Sequence, residues 1–231
     1  MWRDTVAPPP SGLEVQIIPR FVPHEMRSTT AAREHVVLVH GLLRTPRSWT
    51  TLRRHLEREG YSTGVFGYPS LAGRFELHGR RLARELLRLD SGRDFARVHL
   101  VGHSLGNLVI RAALAERPPR KLGRVVMLVP PNRGSPVARK LARWLGELVP
   151  VLRQLSDEPG SDAHRLAVPR MEAGVIAARF DHVVARSSTH LPGEADHLLV
   201  SALHGFVMYQ PPVQRAIVAF LRDGRFPRQA K

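Results

Sequence analysis

From about residue 35 onward, short apolar runs alternate with stretches whose apolar residues recur at helical spacing. His35-Val-Val-Leu-Val-His40 is apolar at successive positions, which suits a strand buried on both faces of a parallel sheet. It ends at the turn Gly41-Leu42-Leu43. Ser48 then stands where it can cap a helix with apolar positions Trp49, Leu52 and Leu56, and Gly60 supplies the stop. Gly64-Val-Phe-Gly67 reads as a second strand. Over Glu76 to Asp90, Leu82, Leu86 and Leu89 share one helical face, and Arg80, Arg81, Arg84 and Arg88 lie largely on the other. The order then returns: strand Arg97–Val101, helix Leu105–Glu116 closed by Pro118-Pro119, and strand Arg124–Val129. Gly174–Arg179 and His197–Val200 read as later strands. Pro212–Arg222 reads as a final helix that buries Val213, Ile217, Phe220 and Leu221. Strands alternating with helices of this length imply right-handed crossovers, hence an α/β fold with a mostly parallel sheet and helices on both faces.

Two stretches stand outside this rhythm. Residues 1–34 open on a proline-rich segment and read as an irregular arm, with an edge strand expected at Leu13–Arg20. Residues 135–170 form an insert in which Val137, Leu141, Trp144, Leu145, Leu148, Leu152 and Leu155 make an apolar stripe, interrupted by Pro150 and bordered by Arg139, Lys140, Arg143 and Arg153. An apolar stripe at helical spacing ordinarily packs as core; the other reading is a lid that opens over a binding site.

A length of 231 residues fits one large domain over 1–231. The chain has no cysteine, which excludes a disulfide framework, a thiolate nucleophile and any Cys-ligated metal. No apolar run reaches the ~20 residues that span a bilayer. Met1–Pro10 lacks the apolar core of a secretory signal, so a cytoplasmic location is expected. Lys plus Arg number 35 against 20 Asp plus Glu, for a formal charge of +15. All but Lys121, Lys140 and Lys231 of the basic residues are arginines, spread from Arg3 to Arg228. Without a nucleic-acid-binding signature beside it, that charge reads as a solvated surface rather than a nucleic-acid site, with an anionic lipid surface as the other partner it suits.

Gly102-His103-Ser104-Leu105-Gly106 carries the candidate chemistry. G-x-S-x-G arises by chance in about one chain in fifteen of this length, but here it follows a strand and opens a helix. A nucleophile elbow needs that context: the turn strains the Ser backbone, and side chains two residues to either side would strike strand and helix. An oxyanion would be held by the N–H of Leu105 and by the Leu42 N–H, in the loop after an earlier strand. The base is expected in the loop after the last strand, which places it at His204; His190 and His197 come before that point. The acid is expected after the preceding strand, at Asp181. Asp157 and Asp162 fall in the insert, and Asp196 abuts the last strand.

These segments resemble the α/β-hydrolase superfamily, in particular small bacterial serine lipases and esterases, from roughly His35 to Phe226. The likeness is carried by Val39-His-Gly-Leu42, Val101-Gly-His-Ser-Leu-Gly106, Pro131-Asn-Arg-Gly-Ser135, and Leu191-Pro-Gly-Glu-Ala-Asp-His197 running on to His204. The resemblance implies an α/β-hydrolase fold and hydrolysis of small esters with an apolar acyl group through an acyl-enzyme, without metal or cofactor. It implies a cap at 135–170, with Leu43 and Trp144 as candidate pocket walls. One departure is Asp181-His182, where such sequences commonly have Asp-Gly. A thioesterase, amidase or C–C hydrolase would share the machinery. A non-catalytic basic binding module is the reading from another class, disfavoured by a complete Ser, Asp and His set in order.

Overall fold

A computed structural model describes residues 33–228. The expected arm over 1–34 and its Leu13–Arg20 strand therefore lie almost wholly outside the described residues. Six strands are described: β1 (Glu34–Val39), β2 (Ser62–Phe66), β3 (Arg97–His103), β4 (Leu122–Leu128), β5 (Ala173–Ala178) and β6 (Asp196–Val200). They form one all-parallel sheet in the order β2-β1-β3-β4-β5-β6. The helices are α1 (Thr50–Arg58), α2 (Phe75–Ser91), α3 (Leu105–Glu116) and α8 (Pro211–Asp223), with α4 (Pro136–Leu145), α5 (Val151–Gln154) and α6 (Asp162–Arg165) in the insert and α7 (Arg186–Thr189) before β6.

The continuous apolar runs of the strands have a direct structural cause. Val36 and Leu38 of β1 join Val126 and Leu128 of β4 in a core with Trp49, Leu52 and Leu56 near α1 and Ile217 and Phe220 on α8. Val37 and Val39 face the other way, into a second core with Leu82 and Leu86 of α2 and Leu108 and Val109 of α3. Successive strand residues thus fill opposite cores, and neither face can be polar. On the second face α2 and α3 meet closely: a Cβ on Gly79 would lie 2.5 Å from the Ala112 Cβ.

Two local expectations are corrected. Ser48 does not cap α1; its hydroxyl donates to the Thr45 carbonyl at 2.7 Å. A 3-10 turn at Pro46–Trp49 runs straight into the helix and takes the place of a side-chain cap. The second strand starts two residues earlier than the Gly64–Gly67 pattern, because Ser62 pairs with His35 across the sheet. Register with a neighbour, not local apolarity, sets the ends of this edge strand.

The ends of the strands position the site. Leu42 follows β1, Ser104 follows β3, Asp181 follows β5 and His204 follows β6, all at the carboxyl edge of the sheet. In an open parallel sheet that edge is where loops from separate strands converge. The insert covers part of it, with Ala138, Val151, Leu155 and Ala163 buried in the α2–α3 core. Of the stripe itself, Leu152 and Leu155 are buried, whereas Leu141, Trp144, Leu145 and Leu148 are exposed.

Candidate active site

Ser104 sits between β3 and α3 with φ 50° and ψ −122°. This strained backbone turns the hydroxyl out of the sheet. The flanking glycines have the steric reason expected of them. A Cβ on Gly102 would stand 2.3 Å from Asn107 Oδ1, and one on Gly106 2.3 Å from the Val39 carbonyl oxygen. Ser104 N–H donates to the Leu128 carbonyl at 2.9 Å, and the Asn107 side-chain amide donates to both the Ser104 and Leu128 carbonyls at 3.0 Å. The elbow is thereby tied to the end of β4.

His204 Nε2 lies 3.0 Å from Ser104 Oγ, and its Nδ1 lies 2.7 Å from Asp181 Oδ2. Facing a carboxylate, Nδ1 carries the proton and donates, which leaves the Nε2 lone pair to accept the serine hydroxyl. The other Asp181 oxygen accepts the N–H groups of Val183 and Val184, both at 2.8 Å. Burial pushes the Asp181 carboxyl up, but the His204 hydrogen bond and charge and these two N–H groups outweigh it and hold its pKa below the ordinary value. His182 occupies the position where glycine was expected. It is exposed, and its φ is not positive, so glycine is not required there.

Of the two backbone donors expected, Leu42 lies in the loop after β1 and Leu105 at the start of α3. Leu43 N–H is taken by Ser70 Oγ at 3.1 Å and Arg44 N–H by the Gly41 carbonyl at 3.2 Å. Among the described residues, neither Leu42 N–H nor Leu105 N–H has an acceptor. Tyr68, which drew no notice in the sequence, holds this loop: its ring stacks on His40 at 4.4 Å and its hydroxyl donates to the His40 carbonyl at 2.7 Å. Among the described residues, the non-glycine residues with positive φ are Leu43, Ser104 and Val129. All three belong to this region, since Val129 directly follows the strand end that braces Ser104. Such strain persists only where surrounding contacts over-determine it.

His103 is fully buried. Its Nε2 lies 3.0 Å from the His204 carbonyl, so Nε2 carries the proton and donates. Burial, with His204 close by, pushes its pKa down to about 3; the ring is neutral, and its bare Nδ1 has no partner. Ser135 caps α4, accepting from Ala138 N–H at 3.2 Å, and donates to the Val183 carbonyl at 2.5 Å. Asn132 and the buried Arg111 join α3 to the insert: Arg111 donates to Asn132 and to the Leu166 and Ala167 carbonyls. Burial lowers the Arg111 pKa to about 10, which still leaves it charged.

A pocket of about 400 Å³ opens over Ser104 and His204, with Leu43 and, from the insert, Val137, Ala138, Leu141, Leu152 and Leu155 in its wall. Trp144 is not part of that wall; it is 86% exposed. The stripe that suggested it is continuous in sequence, yet only the first two turns of α4 face the pocket, and Trp144 and Leu148 project beyond it. The competing aspartates are engaged elsewhere: Asp157 with Arg139, Asp162 with Arg74 and Gln154, and Asp196 with the N–H groups of His197 and Phe226.

Among the described residues one group could hold a metal ion, namely His190, Glu194 and His197, whose ligand atoms lie within 4.8 Å of one another. Both imidazoles already hydrogen-bond Glu194 Oε1, at 2.8 and 2.9 Å. The group sits before and at the start of β6, at the opposite edge of the sheet from Ser104. No helix among the described residues is long and apolar enough to cross a membrane.

Several solved structures share this fold. The mature lipase BlEst2 of Bacillus licheniformis superposes with a TM-score of 0.65 at 17% identity, covering 83% of this chain and 92% of that one. Aspergillus fumigatus lipase B gives 0.67 at 16% identity over 82% of this chain, which spans about half (52%) of that protein. The metagenomic carboxyl esterase MGS0156 gives 0.60 at 21% identity, covering 88% and 71%. No curated protein matches in sequence. The sequence profile of the Alpha/beta hydrolase family matches residues 36–228. With the parallel sheet and its strand-end loops, that match makes the chain a member of the Alpha/beta hydrolase family.

Proposed function

We propose that this protein is a serine hydrolase that cleaves carboxylic esters with an apolar acyl group through an acyl-enzyme. The observation that carries the reading is the unbroken chain Ser104 Oγ, His204 Nε2, His204 Nδ1, Asp181 Oδ2, with links of 3.0 and 2.7 Å. A serine hydroxyl scarcely ionises near neutral pH, so it needs a base at hydrogen-bond distance. As Ser104 Oγ attacks the acyl carbon, His204 Nε2 takes its proton, and Asp181 supports the imidazolium and keeps its orientation. The carbonyl oxygen gains negative charge and is received by Leu42 and Leu105 N–H, the second at the start of α3 where the helix dipole also favours an anion. The tetrahedral adduct collapses as Nε2 returns the proton to the departing alcohol. Water, deprotonated by the same imidazole, then releases the acid and restores Ser104.

The apolar wall formed by Val137, Ala138, Leu141, Leu152, Leu155 and Val184 suits a hydrocarbon chain and offers little to a polar one. Outside the pocket, Trp144, Leu145 and Leu148 are exposed beside Arg139, Lys140 and Arg143, a combination that suits an anionic lipid surface. The deciding experiment is labelling with a fluorophosphonate probe, together with hydrolysis of para-nitrophenyl esters. Labelling confined to Ser104, with label and turnover both lost in Ser104→Ala, supports the reading. A folded wild-type chain that neither labels nor turns over a series of acyl lengths rejects it.

A further inference from the structure

We propose that Arg44 selects esters whose alcohol portion carries an anionic group, a carboxylate or a phosphate. The proposal rests on the ester-hydrolase reading above and specifies the substrate of that same pocket. Arg44 follows Leu42 and Leu43 in the loop after β1 and lines the pocket together with Ser104 and His204. It is half-buried there, in a wall whose other residues are apolar apart from Ser104, Ser135 and two histidines and include no carboxylate. A cation in such a place needs acceptors, because its desolvation is otherwise uncompensated.

Its acceptors fall short. Arg44 Nη2 donates to the Gly205 carbonyl at 2.9 Å, whereas a guanidinium has five N–H donors. Among the described residues no carboxylate forms an ion pair with it; Arg53, Arg124, Arg139 and Arg153 each have one, and Arg74 has two. Arg111, the other arginine drawn inward near this region, is instead taken up by carbonyls on three residues. Arg44 thus keeps a planar set of donors beside the reacting serine, in the geometry that pairs two-fold with a carboxylate or phosphate.

The tether to Gly205 also says which half of the ester bears the charge. His204 Nε2 must hand its proton to the leaving alcohol, so the alcohol lies on the His204 side of Ser104. Gly205 is the next residue, and a Cβ there would stand 2.5 Å from Arg44 Nη2, which puts the guanidinium directly against that loop. The insert's aliphatic residues form the acyl wall. An apolar acid joined to an anionic alcohol satisfies both halves.

The competing role for Arg44 is a strap between two loops, and matched substrates separate the two. Para-butyryloxybenzoate and its methyl ester present one acyl group with and without the charge. In Arg44→Met, kcat/KM for the anionic ester should fall about tenfold further than for the neutral one (about 1.4 kcal/mol), with most of the difference in KM. Arg44→Lys should restore part of it, and added salt should shrink the wild-type preference. Equal losses on both esters would make Arg44 a strap and overturn the proposal. Calorimetry with the uncleavable ethers para-butoxybenzoate, the neutral para-butoxyacetophenone and para-butoxyphenyl phosphate reads the same preference without turnover, and shows which anion is held better. An anion preference that vanishes in Arg44→Met, in a chain that cleaves neither ester, would sustain the Arg44 assignment and reject the hydrolase reading. Equal binding of charged and neutral ethers would overturn the Arg44 assignment.

Discussion

The Nε2–H of His103 donates to the carbonyl of His204 at 3.0 Å, so the residue before the candidate nucleophile holds the loop that carries its candidate base. The two rings are 5.3 Å apart, and a Cβ on Gly41 would fall 2.7 Å from His103 Nδ1. Three loops therefore meet on one buried neutral imidazole. Replacing it with Phe keeps an aromatic ring and loses the donor. His103→Phe should lower kcat and the rate of fluorophosphonate labelling by about five- to tenfold, in line with about 1–1.5 kcal/mol for one hydrogen bond. A variant with wild-type labelling kinetics would leave His103 a packing residue only.

Asp181→Asn tests the acid in the same chain. The amide keeps the size of the carboxylate but presents a neutral group to His204 Nδ1 and disturbs the tautomer that Nε2 needs. The equivalent change in a serine-protease triad costs about four orders of magnitude in kcat, and a loss of similar scale is expected here. Asp157→Asn and Asp162→Asn, which sit in ion pairs of the insert, should retain turnover. Retained turnover in Asp181→Asn would move the acid elsewhere.

Stability should decline on acidification, and the sign follows from the imidazoles. Burial lowers the pKa of His35, His40, His78, His99 and His103 from the ordinary 6.5, for His103 to about 3. Between those values the unfolded chain binds protons that the folded chain refuses, so stability is fully present above pH 6.5 and drains away below it. Asp181 acts in the same sense at lower pH, since its depressed pKa adds stability that is lost as the pH falls through the folded value. Thermal unfolding should show a midpoint that falls as the pH drops below 6.5, more gently in His103→Phe. A flat midpoint across that range would contradict the buried neutral imidazoles.

Exposed Trp144 and Leu148 (86% and 80% exposed) give the lipid-surface proposal a direct test. The double variant Trp144→Ala, Leu148→Ser should bind vesicles containing phosphatidylglycerol at least tenfold more weakly, with kcat/KM on a soluble short-chain ester unchanged. Binding of wild-type protein to those vesicles should weaken with salt. Equal affinity for phosphatidylglycerol and pure phosphatidylcholine vesicles would remove the charge from the account.

Whatever rests on local geometry was legible in the residues alone. The alternation of apolar runs with helical periods is a direct print of strands buried on two faces, and the parallel α/β sheet follows from it. The glycines around Ser104 are dictated by contacts of 2.3 Å that any side chain would violate, so the elbow is legible in five residues. His204 and Asp181 could be located by strand order, and the structure brings both to Ser104. Which surfaces those elements meet was settled by packing between them. The α4 stripe reports an apolar face but not where the pocket ends, so Trp144 reads as a wall and is in fact exposed. Ser48 reads as a cap and yields to a 3-10 turn fixed by its surroundings. Tyr68 beneath the β1 loop and His103 beneath His204 depend on which strand lies beside which. Arg44 and Gly205 are 161 positions apart in the chain and touch because β1 and β6 end at the same edge of one sheet. Periodicity constrains the direction a side chain takes from its own element; the identity of its partner is settled by packing between elements, which no local pattern encodes.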